Sequence, residues 1–407
     1  MTETTSPIEP GTGVQQQAFL IGTEIYLRPL EATDAPWTVA IRSGVFPIGV
    51  ETTETWLKET VEKENPSSGI TLAIVRTADD VVIGSLHAIY GNFGATIEVH
   101  VDPLHGDAGQ RWQADAIVVA TRWMLDDRNQ PSVLVQLPAN ETIVIDALLA
   151  ADFRQTARFR QWYLRHGERV DKIALVALHP GWVQTLGDPL EAPLERTGIG
   201  EARPVPPKVT LDGDPPRNAY MVGARVYLRP FTREDTDDVV AWARRETETF
   251  FDIGRHLPQQ EGYWQWTESQ QKEAHPSWVR FAVCLRETDE LIGEVGLLDI
   301  DYVNRTAESA SFFHRPDYRG GGYGSEAKQL LLEFGFEKLG LHVIQSWVYF
   351  PNTRSAAALR KQGYTEAGRI PWNFVVHAGS FESFVVFDYL AEEWRALPRR
   401  AWDDAGS

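Results

Sequence analysis

The chain contains its own segments twice, in the same order. IYLRPLEATDAPW (25–37) returns as VYLRPFTREDTDD (226–238), and VVIGSLHAIYGN (81–92) returns as ELIGEVGLLDID (290–301). VDPLHGDAGQRWQADA (101–116) lies opposite HRPDYRGGGYGSEA (314–327), and DALLAADF (146–153) opposite AALRKQGY (357–364). The offset drifts only between about 200 and 213 residues while the order is kept, which chance does not produce. Two copies of one domain are therefore expected, at 21–184 and 222–398, as the length of 407 residues also favours. Between them, 185–221 is expected to be a semi-extended linker, with seven prolines inside 186–218 and almost no periodic apolar pattern. Residues 1–20 are polar with no basic start or apolar core and read as a disordered tail; 399–407 read as a second tail.

Composition narrows the partners. A formal net charge of −18 argues against a nucleic-acid partner and adds only a mild bias toward a cationic substrate. No apolar run approaches the roughly 18 residues of a membrane span, so no membrane partner and a cytoplasmic location are expected. Cys284 is the single cysteine, which excludes a disulfide within the chain; in the strand-like run RFAVCLRE it reads as a buried, inert thiol. His100 and His105 straddle a strand-to-loop joint with no third ligand nearby, so no metal site is expected.

The second copy carries the clearer pattern. A strand at 225–230 precedes helices near 234–247 and 260–273, and strands at 279–286, 291–300 and 307–314 are separated by turn signals. A glycine loop then opens an amphipathic helix with Ala327, Leu330, Leu331 and Phe334 on one face, ending at Gly340. A strand over 342–350, a helix over 353–362 stopped by Gly363 and a hairpin over 372–390 complete the copy. The order predicts an α+β fold, with a mixed, mostly antiparallel central sheet flanked by helices and one βαβ crossover.

The loop RPDYRGGGYGSEA (315–327) puts four glycines into positions 320–324. A Walker loop fails, because no Lys-Ser or Lys-Thr follows. GYGSEA fits a dinucleotide fingerprint superficially, but it follows antiparallel hairpins and the next strand carries no acid. Arg319, Gly322 and Gly324 satisfy R-x-x-G-x-G between a strand and a helix. Such a nest aims successive backbone N–H groups at one spot, with the helix N-terminus adding positive charge, and it suits a pyrophosphate without a metal. The competing reading is a plain strand-to-helix turn.

Over most of its length the second copy resembles the GNAT acetyltransferases, in particular their RimJ/RimL-like branch. The resemblance is carried by RVYLRPFTRED (225–235), LIGEVGL (291–297), AESASFFHRPDYRGGGYGSEA (307–327) and NTRSAAALRKQGY (352–364). It implies acetyl-CoA as cofactor, with its pyrophosphate at Arg319, Gly320, Gly321, Gly322, Tyr323, Gly324 and Ser325. Its pantetheine arm would run along the strand ending at Phe313 and His314, with Asn352 and Ser355 as further contacts. The implied partner is a small-molecule or peptide primary amine.

Acetyl transfer requires an unprotonated amine, stabilisation of the thioester oxygen and a proton for the departing thiolate. Glu308 matches the family's A-E-x-x-[YF] glutamate and is the first candidate base, with Glu294 on the neighbouring strand the second. Each has a plainer reading as a solvated strand charge. Glu326 is expected to favour the helix dipole in the first turn. By family analogy a strand N–H near Phe313 would hold the oxygen. Leu359 stands where many relatives carry an acidic tyrosine, so Ser355 is the candidate at the sulfur, while Asn352 also reads as an N-cap. The aromatic runs 263–266 and 371–374 read as core or lid packing before acceptor pocket.

In the first copy HGDAGQRW (105–112) replaces RGGGYG, and Glu141 and Val144 stand opposite Asn352 and Ser355. Residues 21–184 are expected to keep the fold without binding acetyl-CoA, as an internal pseudo-dimer partner; a homodimer is left open. Two functions stay open: an N-acetyltransferase with its working site in 222–398, or a catalytically silent acyl-CoA-binding regulator.

Overall fold

The structure, a computed structural model, describes residues 18–42, 47–90, 94–245, 259–313, 315–377 and 380–402. The chain divides into two units, one formed by 1–155 with 174–187 and the other by 156–173 with 188–407.

The first unit opens with β1 (Leu20–Ile21) and β2 (Ile25–Pro29), followed by α1 (Thr38–Ile41) and α2 (Val50–Glu59). Strands β3 (Gly69–Arg76), β4 (Val81–Ile89) and β5 (Ala95–Val101) then form an antiparallel meander on β2. Helix α3 (Gly106–Arg122) crosses to β6 (Ser132–Pro138), which pairs parallel with β5 from Ala95–Val133 to Ile97–Val135. Helix α4 (Thr142–Ala150) and the hairpin β7 (Arg154–Arg165) and β8 (Glu168–Leu178) follow, and α5 (Pro180–Leu186) ends the unit. Residues 156–173 of that hairpin are grouped with the second unit, whereas the repeat alone assigned them to 21–184.

The second unit begins with β9 (Met221–Val222), β10 (Val226–Pro230), α6 (Asp235–Ala243) and α7 (Gln260–Gln271). The antiparallel run β11 (Val279–Leu285), β12 (Leu291–Asp301) and β13 (Thr306–Phe312) leads into α8 (Tyr323–Glu333). There follow β14 (Val343–Tyr349), α9 (Thr353–Gln362), β15 (Thr365–His377), β16 (Ser380–Leu390) and α10 (Ala391–Ala396). The strand order is β9-β10-β11-β12-β13-β14-β16-β15, with Ala157 of β7 paired to Gly368 of β15. One parallel step, β13 to β14, interrupts otherwise antiparallel pairing. The fold is thus α+β, a mixed and mostly antiparallel sheet flanked by helices.

The periodic apolar residues explain the packing. Ala327, Leu330, Leu331 and Phe334 bury one stripe of α8 and its π-helical extension against Val295, Leu297 and Ile344. Side chains three and four apart share a helix face, so the stripe sinks; α8 is buried on its other faces too, where Glu326, Lys328, Gln329 and Leu332 lie. The repeated YLRP motif has a structural meaning in each unit. Arg229 forms a two-pronged ion pair with Asp235 at 2.6 and 2.8 Å, and Arg28 does the same with Asp34 at 2.8 and 2.6 Å. Cys284 is buried, and burial pushes its thiol up to about 11, so it is inert.

The segment expected as a semi-extended linker is pinned along the second unit. Arg369 donates to the carbonyls of Pro189 and Ala192, Arg360 to that of Thr197, and the Arg203 N–H to that of Lys361. The expected boundary at 184 falls inside α5. The expected tail is partly fixed too: Val205 bridges to Arg399, and Trp402 Nε1 donates to the Pro204 carbonyl at 2.6 Å. The expectation of disorder at the start falls mainly on 1–17, outside the described residues, while Leu20 and Ile21 pair with β2. Among the described residues no helix is long and apolar enough to cross a membrane.

Candidate active site

Three parallel pairs join β13 to β14: Thr306–Val343, Ala307–Ile344 and Glu308–Gln345. Among the described residues no fourth pair follows, although β13 runs on to Phe312 and β14 to Tyr349. The two strands therefore part like a fork. Side chains hold its vertex: Ser309 Oγ donates to the Gln345 carbonyl at 3.2 Å, and Ser346 Oγ donates to the Ser309 carbonyl at 3.0 Å. Parting two strands leaves main-chain donors and acceptors along a slot, where an extended amide-bearing ligand can take the place of a strand.

Beyond the vertex lies a groove of about 330 Å³. One wall is Ser311, Phe312 and Phe313; a second is the turn through Arg319, Gly320, Gly322, Gly324 and Ser325. The third is α9, through Asn352, Arg354, Ser355 and Leu359. Most of the candidate cofactor residues thus meet at one place. Gly321 and Tyr323 belong to the same turn but are engaged elsewhere: the Gly321 carbonyl accepts from Arg225 Nη1 at 2.8 Å, and the Tyr323 ring packs edge-on to Tyr318. His314 lies outside the described residues.

The turn needs its glycines. Gly320 and Gly322 sit at φ +89° and +79°, where a side chain costs about 1–2 kcal/mol. Gly322 is the N-cap of α8, so the helix starts within the turn and directs unpaired N–H groups at it. At Gly324 the constraint is different: a Cβ there would stand 3.1 Å from the Phe313 ring, which would have to give by a few tenths of an ångström. Arg319 Nε donates to the Phe313 carbonyl at 2.9 Å, tying the turn to the strand end.

Cations surround the groove beyond the one that the motif supplies. Arg203 comes from the pinned segment, Arg354 and Lys361 from α9, and Lys328 from the second turn of α8. Lys328 is almost fully buried, and burial lowers its ammonium to about 7 against the pull of Glu308, which favours the charged form. The sequence pattern missed these residues. Arg203 reaches the groove only because its segment docks on α9, and no local signal marks that.

Glu308 keeps a fraction of its surface in solvent, and Gln345 Nε2 donates to its Oε2 at 3.1 Å. Burial raises it to about 7, with Asp299 adding to the rise and the Gln345 hydrogen bond, Lys172 and Lys328 opposing it. A carboxyl poised near neutrality suits a proton acceptor. The second candidate, Glu294, is buried in an ion pair with Arg280, which also bonds the Tyr263 hydroxyl. The Arg280 guanidinium lies against Phe231, Tyr263 and Trp266, 4.5 Å from the Trp266 ring centroid. With its carboxylate committed to Arg280 and the Tyr263 hydroxyl, Glu294 is the poorer candidate.

Glu326 stands in the first turn of α8 as expected. It is also buried and accepts the Arg225 N–H at 2.8 Å and Arg225 Nε at 2.9 Å, so it clamps the start of β10 to α8 as well. Asn352 is the N-cap of α9, its Oδ1 accepting the Ser355 N–H at 3.1 Å, and it lines the groove as well. In the first unit the stretch opposite the glycine turn is drawn into a regular helix from Gly106, with Asp107 in its first turn and Trp112 buried.

A fork between parallel strands, a glycine turn at a helix start and a basic groove thus stand together in the second unit. Residues 225–365 match the acetyltransferase (GNAT) domain, so the second unit contains a GNAT acetyltransferase domain. Among curated relatives, an uncharacterized N-acetyltransferase, p20 of Bacillus licheniformis, is 37% identical over 89 residues, covering 22% of this chain and 49% of that protein. The spermidine N(1)-acetyltransferase of Vibrio cholerae is 27% identical over 106 residues, covering 26% of this chain and 61% of that protein. The chain thus spans about half to three-fifths of the length of these relatives. A solved spermidine N-acetyltransferase from Vibrio cholerae, in complex with CoA and spermine, aligns over 42% of this chain and 98% of its own, at 21% identity and a TM-score of 0.38.

Proposed function

We propose that the second unit transfers an acetyl group from acetyl-CoA to a primary amine. The observation that carries this reading is the junction of the β13–β14 fork with the glycine turn and its cations in one groove. Positive-φ glycines, a helix start, Arg319 and Lys328 fit a diphosphate; the fork fits an extended pantetheine arm. Asn352 and Ser355, the pair typical of the RimJ/RimL-like branch, line the same groove.

Acetyl-CoA would supply an activated thioester. The protein's part is to receive the proton of the acceptor ammonium, at Glu308 directly or through a water, and to offer the Ser355 hydroxyl at the sulfur end. The groove's cations would hold the phosphates. The first copy, with Asp107 beside its helix start and no glycine turn, is proposed to have kept the fold and lost acetyl-CoA binding. One observation favours a silent acyl-CoA-binding protein instead: Leu359, not a tyrosine, lines the groove, so no phenol stands there to protonate the thiolate.

The deciding experiment is thiol release from acetyl-CoA across a panel of polyamines, amino acids, aminoglycosides and N-terminal peptides. The Arg319→Ala/Gly322→Asp double variant is run beside it. Turnover by the parent and its loss in the variant are expected. Binding without turnover on any amine would establish the silent reading, and no acetyl-CoA binding by the parent would sink both.

A further inference from the structure

Lys172, in the part of β8 that belongs to the second unit, donates from Nζ to Gln345 Oε1 at 2.9 Å. Gln345 Nε2 in turn donates to Glu308 Oε2 at 3.1 Å. The ammonium is fully enclosed, lying 3.7 Å from the Trp162 ring centroid and 4.4 Å from that of Phe159. Two aromatic faces favour a cation there and fix its position. Burial lowers the Lys172 ammonium to about 7, with Glu308, Asp299 and Asp388 opposing; in its charged form it has donors only, whereas a glutamine amide has one end that accepts and one that donates. Lys172 therefore determines which way the amide points. Its carbonyl turns to the ammonium, and its NH₂ is left facing the carboxylate.

We infer that Lys172, acting through Gln345, is a positioning residue for the Glu308 carboxylate, so that a strand from the first repeat completes the acyl-transfer site of the second. This rests on the proposal that Glu308 receives the acceptor's proton. The groups facing Glu308 are Asp299 from β12, Gln345 from β14, Lys328 from α8 and Lys172 from β8. Asp299 disfavours the carboxylate; the other three favour it. Removing Lys172 deletes one favourable charge and frees the amide to turn its carbonyl toward Glu308, which disfavours the carboxylate again.

The test uses the full chain and the variants Lys172→Met, Lys172→Arg, Gln345→Leu and Glu308→Gln, each checked for thermal unfolding. In the parent, kcat/KM for the best amine is expected to fall on the acid side as Glu308 protonates. Lys172→Met and Gln345→Leu should each move that limb about one pH unit upward, and the double variant should move it no further than the larger single shift. Lys172→Arg, which keeps the charge, should leave it in place. A uniform loss of rate with an unmoved limb would mean that Lys172 only supports the fold, and would overturn the inference. A second readout needs no turnover: the ¹³C carboxyl resonance of Glu308 in glutamate-labelled protein, identified by its loss in Glu308→Gln. Its midpoint should rise in Lys172→Met. If no amine is acetylated yet the midpoint moves, the proposed function fails while the coupling of Lys172 to Glu308 stands. An unmoved midpoint overturns the inference whatever the activity.

Discussion

Glu326 and Arg225 are joined twice, Oε1 accepting the arginine's backbone N–H at 2.8 Å and Oε2 its Nε at 2.9 Å. The same guanidinium donates from Nη1 to the Gly321 carbonyl at 2.8 Å. The start of β10, the first turn of α8 and the middle of the glycine turn are thereby fastened to one another. An equivalent device exists in the first unit, where Asp115 Oδ2 accepts the N–H groups of Thr23 and Glu24 at 2.7 and 2.9 Å.

Glu326→Ala is expected to cost about 1–3 kcal/mol, because it strands the Arg225 N–H and an arginine that was partnered. The turn should loosen with it, so acetyl-CoA affinity should fall although Glu326 is not placed in the groove. Thermal unfolding and calorimetric titration with acetyl-CoA measure the two effects. Unchanged stability would refute the clamp.

Gly322→Ala and Gly320→Ala separate backbone strain from crowding. Both positions have positive φ, but a Cβ on Gly322 would stand 3.1 Å from Arg225 Nη2, whereas one on Gly320 meets nothing within 4 Å. Gly320→Ala should therefore lose about 1–2 kcal/mol from strain alone, and Gly322→Ala more. Denaturant unfolding of the two proteins, compared directly, checks the order.

Asn352 has two duties that one pair of substitutions can split. Asn352→Ala removes the N-cap and is expected to cost about 0.5–2 kcal/mol. Asn352→Asp keeps a good cap but brings a negative charge to the groove, so stability should hold while acetyl-CoA affinity drops several-fold. Equal stability losses in both would argue against the capping role.

Glu308 makes stability depend on pH in a direction opposite to an ion-paired acid. Burial raises it from the usual 4.5 to about 7, so between these values the folded protein binds more protons than the unfolded chain. Stability contributed by this group is then full below about pH 4.5 and is lost as pH rises to about 7. Glu308→Gln should remove that loss and become the more stable protein by about 1–3 kcal/mol above pH 7, while acetyl transfer falls. Chemical denaturation of parent and variant at pH 5 and pH 8 is the measurement; a constant difference would contradict the prediction.

Lys328 shows the same conflict with reversed sign. Its ammonium is lowered from 10.5 to about 7 by burial, so the unfolded chain binds the extra proton across that window and stability falls as pH drops through it. Lys328→Met should gain stability at pH 7 and lose acetyl-CoA affinity. A variant that binds acetyl-CoA as tightly as the parent would remove Lys328 from the phosphate site.

Much of the second unit was legible from pattern because its signals are local. The stripe Ala327, Leu330, Leu331, Phe334 and the stop at Gly363, which adopts φ +101°, are set by neighbours a few residues away. The turn through Arg319 to Gly324 was legible for the same reason, since glycine is demanded by the backbone itself. The first-turn position of Glu326 was legible, but its clamp on Arg225 was not, because that partner is about a hundred residues distant.

By itself, then, the sequence determined the repeat, the α+β order of elements and the glycine turn, all consequences of spacing and backbone conformation. Only the tertiary structure decided which charges share the groove and what faces Glu308. Arg203 enters from the pinned segment, Lys328 is buried beside the carboxylate, and Lys172 arrives on a strand that the repeat alone had placed elsewhere. The physical reason is range. Capping, turns and amphipathic stripes are written in adjacent residues, whereas a pKa or an amide's orientation depends on every group that folding brings near.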